Sequence, residues 1–184
     1  MSIWLWVVIV VIAAIVLLGV AWAGLRTQRT RSLQDTFGPE YDRVAADAPT
    51  KRAAEAELRE RADRRSQFDI RPLEPSQRDR YRSRWQDVQA GFVDHPASSV
   101  GAADDLIQEV MRERGYPVED FDTRADDLSV DYPAVVEHYR AAHGIAVAHG
   151  RGNAGTEELR QAVQHYRALF DELLGTRDEE AVRQ

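Results

Sequence analysis

Apolar positions follow three different regimes along the chain. From Ile3 to Leu25 they run without a charge or a proline for 23 residues. At a rise of ~1.5 Å per residue such a helix reaches about 34 Å, enough to cross a hydrocarbon core. Inside lipid, every backbone group must be satisfied within the segment, which predicts a helix for this Val, Ile, Leu and Ala sequence. Trp4, Trp6 and Trp22 stand near its ends, where amphipathic rings settle at the headgroups. A transmembrane helix over 1–25 is therefore predicted.

The second regime, Arg26 to about Gln67, is helical but weakly amphipathic. Leu33, Phe37, Tyr41 and Val44 make one short stripe at spacings of four, four and three. In Thr50–Arg65 the pairs Lys51/Glu55, Glu55/Arg59, Glu57/Arg61 and Glu60/Arg64 lie four apart, which supports a helix that stands in water as a stalk or packs weakly. Pro72 and Pro75 break the run, and Phe68, Ile70 and Leu73 are expected to stitch this linker onto the helical domain beyond it.

The third regime is strongly patterned. Tyr81, Trp85, Val88 and Phe92 fall at i, i+4, i+7 and i+11, an aromatic stripe that reads as core or as an interaction face. Val93-Asp94-His95-Pro96 and Val130-Asp131-Tyr132-Pro133 look alike, each offering an Asp cap and a first-turn proline. Val100, Ala103, Leu106, Ile107, Val110 and Met111 form one face, ended by Gly115 and Pro117, and a short helix is expected from about Glu119 to Leu128. Val136-Glu-His-Tyr-Arg-Ala recurs 27 residues later as Val163-Gln-His-Tyr-Arg-Ala, which suggests two arms of a hairpin turning through Gly150–Gly155. The last helix is expected to begin near Thr156 as its cap, to bury Leu159, Val163, Tyr166, Leu169, Phe170, Leu173 and Leu174, and to end at Gly175.

The predicted fold class is all-α. It comprises an N-terminal transmembrane anchor (1–25), a charged juxtamembrane helical stalk and linker (26–75), a soluble bundle of about four to five helices (76–175) and a flexible tail (176–184).

Charge sharpens the functional picture. Residues 26–90 hold 15 basic and 12 acidic side chains, whereas residues 91–184 hold 9 and 19. An acidic distal domain repels phosphate backbones, so nucleic acid is not an expected partner. Arg26, Arg29 and Arg31 come directly after the apolar run and none precede it, which places the soluble domain in the cytoplasm of a single-pass cell-membrane protein. Gly19 and Ala23 offer one small-xxx-small pair for close helix packing. The alternative is secretion after cleavage at Ala21-Trp22-Ala23, disfavoured by a run longer than a usual signal core and by the missing basic n-region. With no cysteine in the chain, thiol catalysis, disulfides and thiolate metal sites are excluded.

Candidate chemistry is sparse. Gly150-Arg-Gly-Asn-Ala-Gly155 has the G-x-G-x-x-G form, yet too little chain lies beyond it for a βαβ unit, so it reads as an interhelical turn. His138, His143 and His165 are the polar-site candidates: His138 or His143 is expected to approach His165 across the hairpin, and a hydrolase using this region, with or without metal, is the alternative function. No catalytic residues, cofactor or metal ligands are assigned.

The stretches Tyr81–Phe92, Val130-Asp131-Tyr132-Pro133 and His165–Phe170 resemble a group of uncharacterised bacterial single-pass membrane proteins with a helical soluble domain. The resemblance implies architecture and carries no activity. The expected function is a non-enzymatic, membrane-tethered helical module, held in the bilayer by residues 3–25, that presents an acidic domain to a protein partner or to itself.

Overall fold

The computed structural model describes Trp4, Gln28 and residues 30–175, and among these all regular structure is helical. The predicted anchor lies outside the described residues apart from Trp4, as does the tail 176–184. Among the described residues no helix is long and apolar enough to cross a membrane. Residues 30–37 are helical and are succeeded by α1 (Pro39–Asp47), α2 (Lys51–Arg65), α3 (Pro75–Gly91), α4 (Pro96–Arg114), α5 (Phe121–Asp131), α6 (Val136–Gly150) and α7 (Thr156–Leu174). The chain divides into two compact units, Met1–Leu58 and Arg59–Gln184, with the division inside α2.

In the first unit the short stripe is buried: Leu33, Phe37, Tyr41 and Val44 are all shielded. The first half of α2 departs from the expected solvated face, because Ala54 and Leu58 are fully enclosed and Glu55 is buried with them. Glu55 accepts hydrogen bonds from the Thr30 hydroxyl at 2.8 Å and the Tyr41 hydroxyl at 3.3 Å, so its carboxylate serves tertiary structure. Glu40, also buried, takes both arms of Arg43 at 2.7 and 3.0 Å.

The second unit is a helical bundle organised around α7, which packs against α6 and α4, while α3 lies on α4 and α5 on α6. The apolar faces predicted for α4 and α7 converge: Leu106, Ile107, Val110 and Met111 share one core with Leu159, Tyr166, Leu169, Phe170 and Leu173. Trp85 stacks on Phe170 with ring centroids 4.6 Å apart, locking α3 into that core. Linker residues Phe68, Ile70 and Leu73 pack on it as expected. Gly115 caps α4 with φ of 96°, and a Cβ there would run into the Asp69 carbonyl oxygen. Only glycine allows the linker to pass so close. That passage is fixed by Arg71 N–H donating to the Arg114 carbonyl at 2.9 Å.

Local starts differ in detail from the expected caps. Asp94 does not cap α4, whose N-cap position is His95 without a side-chain bond. Val130–Pro133 does not open a helix: Asp131 ends α5, a turn over 133–135 intervenes, and α6 starts at Val136. The reason is that Asp131 is engaged elsewhere, accepting from Arg65 Nε at 2.5 Å and from the Tyr116 hydroxyl. The true capping aspartate is Asp120, which accepts from Thr123 N–H at 3.1 Å. At α7 the cap position is Gly155, whose N–H donates to Glu158 at 3.0 Å, and Thr156 is already helical.

Within the second unit the end of α2 meets α5 through charge. Arg61 pairs with Asp126 at 2.8 Å, Arg64 with Asp127 at 2.7 Å and Arg65 with Asp131 at 2.5 Å. Asp127 is fully enclosed, and burial pushes its carboxyl above the usual range against the opposing pull of Arg64.

Candidate functional site

The aromatic stripe resolves into core. Tyr81 and Trp85 are buried, and Val88 and Phe92 are half-buried against the same cluster. What the stripe does position is the outer surface of α3. Arg78, Arg80, Arg82 and Arg84 alternate around Tyr81, and those at 80 and 84 lie over its ring at 5.2 and 5.8 Å.

Between α3 and α4 this surface forms an open cleft of about 620 Å³ lined by Arg71, Arg80, Tyr81, Arg84, Glu109, Arg112 and Glu113. Three of its charges are already engaged. Arg84 grips Glu109 with both guanidinium nitrogens, one at 2.9 Å, and Gln77 donates to Glu113 at 2.5 Å. Arg71, Arg80 and Arg112 are exposed and have no carboxylate ion-pair partner among the described residues. The hydrogen bond from Arg84 holds the Glu109 carboxyl below the ordinary range, and the charges of Arg84, Arg112 and Arg80 reinforce the effect against desolvation. The cleft is thus a basic depression in a domain rich in acid, with arginine forks suited to planar or tetrahedral oxyanions.

The sequence motif that recurs at 27 residues meets itself in space. Across the α6–α7 hairpin His138 faces His165, Nδ1 to Nδ1 at 2.9 Å, and one layer inward Tyr139 lies against Tyr166 with ring centroids 5.9 Å apart. The histidines are on the outside and the tyrosines are enclosed. Tyr139 donates to Asp104 at 3.2 Å, and Gln108 donates to the other oxygen of that carboxylate at 2.6 Å. Burial and the Asp104 charge push both phenols above their ordinary range, so they remain protonated donors. His143 does not join the pair: it stacks on Phe121 at 3.6 Å, and burial lowers its pKa.

Other candidates are structural. Gly150–Gly155 is the interhelical turn, with Gly152 at φ of 77° and Asn153 N–H bonded to the Ala148 carbonyl at 2.9 Å, and the preceding Ile145–Ala148 is helix. No group of three or more His, Asp or Glu side chains suited to a metal occurs among the described residues.

The arginine cleft escaped the sequence reading. Its visible trace is the alternation Arg78, Arg80, Arg82, Arg84, but Arg71 and Arg112 join it only once α3 is paired with α4. No protein-family model, no curated protein and no solved structure matches the chain.

Proposed function

We propose that this chain is a membrane-tethered, non-catalytic helical module that binds an acidic partner protein through the arginine-lined cleft. The observation that carries this reading is the cleft itself. Residues 59–184 hold 25 acidic against 18 basic side chains, yet within them Arg71, Arg80 and Arg112 gather without a carboxylate ion-pair partner among the described residues. In such a domain unspent positive charge at one place is a recognition feature, because steering and register follow the local field more than the net charge.

The tether is the uncharged run Ile3–Leu25, with Trp4, exposed at 79 %, suited to a headgroup position. Its basic flank orients the module toward the cytoplasm, and confinement to the membrane raises the effective concentration of any partner anchored beside it.

Crosslinking in washed membranes tests the reading, comparing the native chain with an Arg80→Glu/Arg112→Glu variant. An adduct that disappears in the variant and weakens with added salt is expected, since exposed charge contacts are screened beyond about 8 Å at physiological ionic strength. An adduct of equal yield in both chains, or none in the native one, contradicts it.

A further inference from the structure

We infer that His138 and His165 form a two-imidazole site for a divalent transition-metal ion of the copper, nickel or zinc class. It is independent of the arginine cleft.

The geometry comes from the hairpin. A six-residue motif on α6 and its counterpart on α7 meet in antiparallel fashion, so the two equivalent histidines arrive opposite one another with Nδ1 atoms 2.9 Å apart. Imidazole nitrogens bind such metals at roughly 2.0–2.1 Å. Two donors separated by 2.9 Å on one ion then subtend an angle of about 90°. That is the cis angle of square-planar and octahedral sites, which Cu²⁺ and Ni²⁺ favour and tetrahedral Zn²⁺ fits less well.

Support for the pair is rigid. His138 and His165 each stand directly beside a buried tyrosine, Tyr139 and Tyr166, packed in the core. The rings are reachable, since His138 is exposed and His165 half-buried. Without metal, one Nδ1–H donates to the other nitrogen; with metal, that ring changes tautomer, its proton passing through solvent from Nδ1 to Nε2, and a small rotation of the rings would aim both Nδ1 lone pairs at the ion. With two protein donors the remaining positions are open to water or a further ligand.

The test is a titration of the full chain in detergent with Cu²⁺, Ni²⁺ and Zn²⁺ separately, read by calorimetry and, for Cu²⁺, by electron paramagnetic resonance. One ion per chain is expected, with Cu²⁺ and Ni²⁺ tighter than Zn²⁺ and a Cu²⁺ spectrum split by two equivalent nitrogens. His138→Gln and His165→Gln should each weaken binding at least tenfold, while His143→Gln and His95→Gln leave it unchanged. Equal binding by the native chain and the His138→Gln/His165→Gln variant, with native circular dichroism in both, overturns the assignment.

Discussion

The second unit is held together in two ways. Where α4, α6 and α7 meet, apolar side chains on helical spacing bury one another, with Leu106, Ile107, Tyr139, Leu169 and Phe170 almost wholly enclosed. Where the end of α2 meets α5, three arginines meet three aspartates and only Asp127 of those carboxylates is fully shielded. The first kind of contact is driven by removal of area from water and does not depend on protonation or on charge screening. Contacts of the second kind must offset desolvation of their charges, so they specify position more than they stabilise it. The core is therefore expected to carry most of the stability of the unit and the charged seam less of it.

The largest expected effect is on the apolar side. Phe170→Ala removes the ring stacked on Trp85 and should cost about 3–5 kcal/mol by chemical unfolding of the detergent-solubilised chain. A loss under about 1 kcal/mol would place the core elsewhere.

Next comes Gly115→Ala. It forces a Cβ into the Asp69 carbonyl oxygen at a φ of 96° that alanine tolerates poorly, and should cost about 2–3 kcal/mol while loosening the linker. Hydrogen exchange at Arg71 N–H is the local readout, and unchanged protection there would contradict the close passage.

On the charged side Arg64→Ala should cost less, about 1–2 kcal/mol, because Arg64 keeps 36 % of its side chain in water even though it leaves Asp127 buried without its partner. The pH dependence gives the sign. Asp127 already has a raised pKa from burial, so its penalty is present above that value and is relieved as pH falls through it. The deficit of the variant should therefore shrink on acidification, whereas the Phe170→Ala deficit should not. Parallel pH profiles for the two variants would erase the distinction between the regions.

The smallest effect belongs to the histidines. His143 and His165 have pKa values lowered from 6.5, chiefly by burial, so their contribution is complete above 6.5 and declines as pH falls below it. The melting temperature should fall by about 1–2 °C between pH 7.5 and 5.5, on the scale of a domain this size. His165→Gln should reduce that fall.

The same contrast explains what could be read from the sequence. Periodic apolar faces announced the helices from Tyr81 to Leu174 and the hairpin, because burial of one helix face leaves a mark at every third and fourth position. The charged helix misled: its internal Glu–Arg spacing looks self-sufficient, so nothing in the local pattern reveals that Glu55 reaches Thr30 and Tyr41 or that Arg64 reaches Asp127. Capping was misread at Asp131 for the same reason, since a distant arginine claims its carboxylate. Half of the candidate chemistry was visible. His138 approaching His165 came from the repeated motif, but the stacking of His143 on Phe121 and the assembly of the arginine cleft depend on helix pairings that no single segment encodes.

The proposed tether would decide where all of this operates, and one measurement addresses it most directly. Membranes from cells expressing the full chain are washed with alkaline carbonate, and the intact mass of the protein is read in pellet and supernatant. A membrane-tethered module predicts the chain in the pellet with a mass that includes Ile3–Leu25. Recovery in the supernatant, or a mass that begins at Gly24, would contradict the tether and favour a secreted helical protein instead.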